Sequence, residues 1–177
     1  MQTKRLTVIS LMLCLALVLG YATTTLAKDA AKADAPADWM FHTIVDVDFV
    51  MQQVQVPMPE NVMIIDARPK RAKYDKGHIP MAVSIPDSQF DKMTDKLPAD
   101  KNALLIFYCG GLKCKLSHKS AFKAEKLGYT NAKVFAAGFP EYMKIAGNYP
   151  AVSADWVKKQ LDNKTNMVLI DSRPKRK

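Results

Sequence analysis

The sequence predicts an α/β domain with a largely parallel sheet, on three observations. Short apolar runs rich in β-branched residues alternate with helical stretches between about Val47 and Leu161. The run Ala103 to Tyr108 is apolar throughout, as expected of a central strand covered on both faces. A well-marked helix follows it, with Ser117 able to cap its start and Gly128 able to close its end. The 177 residues leave room for one ordinary domain. A composition of 49% hydrophobic and 24% charged residues, with 7 Gly and 10 Pro, excludes collagen-like, disordered and multi-span membrane classes.

Taken in order, the chain opens with Lys4 and Arg5 leading into the apolar run Leu6 to Gly20, then small residues to Ala27. This reads as a secretory signal peptide over 1–27, because the run is shorter than the roughly 20 apolar residues of a spanning helix. Acylation at Cys14 is disfavoured, since bulky Leu13 precedes it in mid-run. Export to the periplasm follows as an expectation, with no stable membrane anchor after cleavage. Residues 28–38 are mainly Ala, Lys and Asp and form an expected flexible linker. Expected strands are Val62 to Ile65, Ala82 to Ile85, Ala103 to Tyr108 and Lys133 to Ala136. Expected helices cover Asp48 to Gln55, Ser88 to Lys96, His118 to Leu127, Pro140 to Ala146 and Ala154 to Leu161.

An internal repeat divides the rest. Asn61-Val-Met-Ile-Ile-Asp66-Ala-Arg68-Pro69-Lys70-Arg71 returns as Asn166-Met-Val-Leu-Ile-Asp171-Ser-Arg173-Pro174-Lys175-Arg176. Upstream, Val47-Asp48-Phe49-Val50 returns as Ala154-Asp155-Trp156-Val157. The expected organisation is therefore one domain over 39–151 and the truncated start of a second copy over 152–177. A lone helix and strand cannot bury a core, so this fragment is expected to dock, to self-associate or to stay loose.

The formal charge is +9, and removal of residues 1–27 takes away two cations and no anion, so the chain remains basic. The lysines are scattered with few aromatics among them, which argues against nucleic acid and leaves small anions or plain solubility as explanations. After cleavage only Cys109 and Cys114 remain, too few for a disulfide scaffold. Both lie in the loop Cys109-Gly110-Gly111-Leu112-Lys113-Cys114-Lys115, between the central strand and the helix. A sulfur there sits at the C-terminal sheet edge, where open α/β sheets bind ligands. Loop N–H groups, the helix N-terminus and Lys113, Lys115 and Lys119 would favour a thiolate with a lowered pKa. Gly110 and Gly111 would let the backbone fold closely around it.

Three segments resemble the rhodanese family over about Val47 to Ala151. The first is Ile65-Asp66-Ala67-Arg68 with Gly77-His78-Ile79-Pro80-Met81-Ala82, similar to the family's Asp-x-Arg and Gly-His-Ile-x-Gly-Ala signature. The second is Phe107-Tyr108-Cys109-Gly110 leading into a helix that ends Leu127-Gly128-Tyr129. The third is Ala137-Gly138-Phe139-Pro140-Glu141-Tyr142, similar to the closing Gly-Gly-x-x-x-Trp element. The resemblance implies a three-layer domain with a central, mostly parallel sheet flanked by helices. It also implies a sulfurtransferase in which Cys109 takes a sulfane sulfur from an anionic donor such as thiosulfate, holds it as a persulfide and passes it to a thiol or cyanide-like acceptor. No metal or organic cofactor is implied. Asp66 and Arg68 are implied to be mainly architectural, His78 reads as a loop anchor, and His118 is a candidate for tuning the site.

The loop departs from the family pattern, with Cys114 and Lys115 where Arg and a small residue usually stand and a segment up to Gly128 about two residues longer. Met81, Ala137 and Tyr142 replace Gly, Gly and Trp. Cys114 admits a role of its own, attack on a Cys109 persulfide, or is an incidental thiol. Two alternative functions stand beside sulfur transfer: a non-catalytic sulfur-carrier or binding module, and a Cys-dependent phosphatase or arsenate reductase. The last is weakened by Lys115 standing where a Cys-x5-Arg loop has its planar two-pronged donor.

Overall fold

The computed structural model describes residues 37–173. The expected signal peptide at 1–27, the linker up to residue 36 and the final residues 174–177 lie outside the described residues. The elements, in chain order, are α1 (Val47–Gln53), β1 (Val62–Asp66), β2 (Val83–Ser84), β3 (Leu104–Tyr108), α2 (Leu116–Lys126), β4 (Ala132–Phe135), α3 (Gly138–Tyr142) and α4 (Ala154–Asp162). Short 3-10 turns occupy Tyr74–Lys76, Asp87–Lys92 and Thr94–Lys96.

The four strands form one all-parallel sheet in the order β2-β1-β3-β4. Side chains alternate across it with the period of two that a strand imposes. Ile65, Leu105, Phe107 and Val134 face a core shared with Phe41, Phe90 and with Ala121 and Ala124 of α2. Ile64, Ile106, Tyr108 and Phe135 face a second core shared with Val50 of α1 and Tyr142 of α3. The run Leu105 to Tyr108 is buried on both faces, as a central strand between two helical layers requires. Beyond β4, Ile44 bridges Val134 in parallel, and backbone bonds Val45 N–H to Val134 O (2.9 Å) and Val134 N–H to Thr43 O (2.9 Å) cover that sheet edge.

Three expectations are corrected. The segment expected as a helix over Ser88 to Lys96 is two 3-10 turns, held by i to i−3 bonds such as Gln89 N–H to Pro86 O (2.8 Å) and Lys96 N–H to Met93 O (3.2 Å). Its apolar positions Phe90, Met93 and Leu97 suit either helix type, and Pro98 holds Leu97 extended, which stops the segment early. Ser117 does not cap α2, which begins two residues earlier than expected with Lys115 at its N-cap. At the other end Gly128 (φ +89°) does close the helix, with Tyr129 N–H returning to Ala124 O (3.2 Å). The repeat of β1 over 166–170 forms no strand, and Val168, Leu169 and Ile170 are exposed. Helix α4 is capped by Ser153, whose N–H also bonds Asp75 O (3.1 Å), and it buries no residue of its own.

The strand register brings Asp66, Tyr108 and Phe135 to one level at the C-terminal sheet edge. There Asp66, fully buried, accepts from Arg68 Nε (2.9 Å) and Nη2 (2.6 Å), from Arg68 N–H (2.9 Å) and from Tyr108 Oη (2.8 Å). Arg68 Nη2 goes on to Gly77 O (2.7 Å), and Tyr108 Oη accepts from Ile79 N–H (3.1 Å). Burial opposes the Arg68 charge, yet its bonds to Asp66 outweigh that and raise its pKa. Replacing one partner of such a buried pair leaves the other charge without compensation. Asp66→Asn is therefore expected to lower unfolding free energy by about 3–5 kcal/mol, read as a lower urea midpoint at unchanged slope.

Candidate active site

The topology places the site. The chain runs from β1 outward to β2 and then returns to β3 on the other side of β1, so the sheet has its switch point between β1 and β3. Crevices open outside the strand ends at such points. Cys109 is the residue that follows β3, and its backbone is clamped from both sides. Tyr108 O accepts from Ala67 N–H (3.0 Å) and Cys109 O accepts from Phe139 N–H (3.1 Å).

The Cys109 sulfur is enclosed, and the groups that touch it are polar. Its Sγ lies 3.1 Å from Ser117 Oγ and donates to the carbonyl of Cys114 (3.2 Å). The backbone N–H of Ser117, in the first turn of α2, also bonds the sulfur. The expected lowered pKa is corrected here: burial pushes the Cys109 thiol up, the Cys114 side chain adds to that, and the two Ser117 bonds oppose it without prevailing. Against the N–H groups expected to face the sulfur, the loop turns the Cys114 carbonyl toward it, which stabilises the protonated form. The raised pKa favours the protonated thiol near neutrality.

Around it, Gly110, Gly111, Leu112, Lys113 and Cys114 line an open cavity of about 570 Å³ with Ala137, Pro140, Glu141 and Lys144. Cys114 is half-buried and contributes to the wall, whereas Cys109 lies behind it. The loop turns through Gly111 (φ +118°) and Cys114 N–H bonds Gly111 O (2.8 Å). Its outer part is loosely packed, since nothing lies within 4 Å of a Cβ added at Gly110 and Leu112 is 71% exposed. Lys115 is directed elsewhere, with its amine 5.1 Å from the Trp39 ring, and Lys119 is exposed on α2.

Asp66 and Arg68 do not contact the sulfur, and the structure gives them the tie between strand ends described above. His78 anchors a loop, with Nδ1 2.9 Å from Tyr74 O and its ring stacked on Tyr74. His118 does not reach Cys109 by any hydrogen bond among the described residues. Its Nδ1 accepts from Phe41 N–H (2.9 Å), its ring meets Trp39 edge-on, and burial lowers its pKa. It fastens the segment before β4's edge to α2. Ser117, read in the sequence as a cap, is instead the sulfur's hydroxyl partner. Lys144 and Glu141, paired at 2.8 Å on the cavity wall, were not singled out, and nothing in their local sequence marks them. Among the described residues no group of three or more His, Cys, Asp or Glu is placed to hold a metal ion.

Gly138 is the tightest point of the site. It has φ +63°, and a Cβ there would overlap the Cys109 carbonyl oxygen and come within 2.9 Å of Gly111 N. Backbone cannot yield as a side-chain tip can, so Gly138→Ala is expected to push the cysteine loop outward, raising the alkylation rate of Cys109 while lowering the melting temperature. The neutral thiol generates a second expectation. Alkylation of Cys109 by iodoacetamide should climb about tenfold per pH unit through neutrality and on past the ordinary thiol range before levelling. Ser117→Ala, which removes a bond to the thiolate, should move that profile to still higher pH.

Similarity to known proteins agrees with this geometry. The family model described as "Rhodanese-like domain" matches residues 51–145. Among solved structures, the BH2092 protein of Bacillus halodurans is 25% identical with a TM-score of 0.52, covering 62% of this chain and 77% of that one. The Alr3790 protein of Anabaena sp. is 20% identical with a TM-score of 0.53, covering 68% and 90%. A variant of EanB, in complex with ergothioneine covalently linked with a persulfide cysteine, is 19% identical with a TM-score of 0.51, covering 75% and 34%. No curated protein matches the sequence. With more than half of its length matched by one family model, a parallel sheet in the order 2-1-3-4 and a cysteine loop at the end of the central strand, the chain belongs to the rhodanese-like domain family.

Proposed function

We propose that the protein is an exported sulfurtransferase that carries a sulfane sulfur on Cys109. The observation that carries this reading is the position of Cys109, at the end of β3 on the switch point of the sheet, with Ser117 bonded to its sulfur and the loop that follows it lining an open cavity. Thiosulfate or a similar anion enters beside the exposed Lys113, which supplies positive potential on the cavity wall, Lys144 being paired with Glu141. The loosely packed segment 110–113 lifts to give access to the sulfur, whose proton leaves as the donor binds. The Cys109 thiolate then attacks the outer sulfur of thiosulfate. The S–S bond of the donor breaks, sulfite departs with the electron pair, and Cys109 holds a persulfide.

The persulfide is the more acidic species and carries its charge one atom farther out. It gains from the N–H and hydroxyl of Ser117 at the helix start, where an anion is favoured. A thiol or cyanide attacks the outer sulfur and restores the thiolate. The EanB neighbour carries a persulfide cysteine, in keeping with this chemistry. Two further parts of the reading stand on sequence: a periplasmic location from residues 1–27, and a second copy of the domain's opening over 152–177.

The test is mass spectrometry of the purified chain after thiosulfate treatment and desalting. A gain of one sulfur atom that cyanide removes as thiocyanate, and that Cys109→Ser abolishes, is expected. No gain in either the wild-type or the Cys114→Ser chain, or hydrolysis of phosphate esters in its place, overturns the assignment.

A further inference from the structure

The two cysteines of the loop differ in a way that gives the second one a task. Cys109 is fully enclosed and lines no part of the cavity, whereas Cys114 is half-buried and stands in the cavity wall. The polypeptide between them folds back, so that the Cys109 sulfur lies 3.2 Å from the carbonyl of Cys114 itself. The two thiols are both free, and the Cys114 side chain helps to push the Cys109 thiol pKa up. The intervening residues can follow a change of loop shape, since Gly110 is unencumbered and Leu112 and Lys113 are exposed. Nothing in the tie between Asp66, Arg68 and Tyr108 involves Cys114, so the loop can close without disturbing the sheet edge.

Resting on the sulfur-carrying role of Cys109, we infer that Cys114 is the resolving nucleophile of this site, releasing the carried sulfur as hydrogen sulfide. The Cys114 thiolate attacks the inner sulfur of the Cys109 persulfide. A bond forms between the two Sγ atoms, the bond to the outer sulfur breaks, and that sulfur leaves with the electron pair and takes a proton as HS⁻. The sulfane sulfur is reduced, and the two cysteines are oxidised to a disulfide. An external dithiol then reduces the disulfide by exchange and is itself oxidised, which returns the loop to its dithiol form. The product class is sulfide, and the required co-reactant is a dithiol reductant in the compartment where the protein works. Attack at the outer sulfur would instead place the persulfide on Cys114 and leave no disulfide.

The experiment is a single turnover. The full chain is loaded with thiosulfate, desalted and incubated without added thiol, while sulfide is measured and the cysteine peptides are mapped after alkylation. The wild-type chain is expected to release close to one sulfide per loaded chain as a Cys109–Cys114 disulfide appears. Loaded Cys114→Ser is expected to keep its persulfide, with sulfide release slowed by at least about tenfold. Equal retention by both chains, or a persulfide found on Cys114, overturns the inference while leaving the sulfurtransferase reading intact. A second measurement does not depend on loading: titration of the unloaded chain in a glutathione redox buffer should close the same disulfide at a defined ratio. A chain that never closes it overturns the inference. One that closes it and yet takes up no sulfur overturns the sulfurtransferase reading and, with it, the role given to Cys114.

Discussion

The carboxylate of Asp66 is the constraint on which the C-terminal edge of the sheet depends. It gathers the backbone N–H and guanidinium of Arg68 and the hydroxyl of Tyr108, so one buried anion joins the end of β1 to the end of β3. Arg68 extends the tie to Gly77, and Tyr108 extends it to Ile79, which fixes the loop after β1 as well. Desolvating these charges is expensive, and the cost is met only while every partner is in place. The residue after Tyr108 is Cys109. Its main chain therefore starts from a rigid platform, even though the loop that follows it is loosely packed. A site that must hold one atom still and let neighbouring residues move benefits from that division of stiffness.

Charge at the sulfur follows from the same arrangement. A thiolate enclosed at this depth loses more hydration than two bonds from Ser117 return, which is why the thiol pKa is pushed up. The Cys114 carbonyl, turned toward the sulfur, works in the same direction by favouring the protonated form. Enclosure also shields the thiol from oxidants in solution.

Much of this was legible in the chain itself, for definite reasons. The strands announced themselves because β1 and β3 are buried on both faces and so read as unbroken apolar runs, and the site could be located because Cys109 follows one of them. The 3-10 turns over Asp87–Lys96 could not be told from a helix, since Phe90, Met93 and Leu97 satisfy both spacings and the difference lies in local hydrogen bonding. The charge state of Cys109 was misread for a deeper reason. Residue types say how many N–H groups and lysines lie in the loop, but the orientation of a single peptide unit, with the Cys114 carbonyl turned inward, decides which protonation state they favour. Lys144 joined the cavity through the packing of α3 against the loop, a contact between distant segments that no local pattern encodes.

The repeated motif separates what is local from what is tertiary. Arg173 meets Asp171 through N–H (3.0 Å), Nε (2.8 Å) and Nη2 (2.6 Å), nearly the distances that join Arg68 to Asp66, although the second pair is exposed and belongs to no sheet. The Asp-x-Arg geometry is therefore written into three consecutive residues and needs no fold around it. What the first copy has and the second lacks is Tyr108 donating to the carboxylate, Gly77 accepting from the guanidinium, and an apolar layer on either side. An exposed pair of this kind contributes little, because water competes for both partners and salt screens them. The same three residues become structurally decisive only when burial removes that competition. The motif thus accounts for the stiffness of the cysteine's platform and not for the chemistry performed upon it.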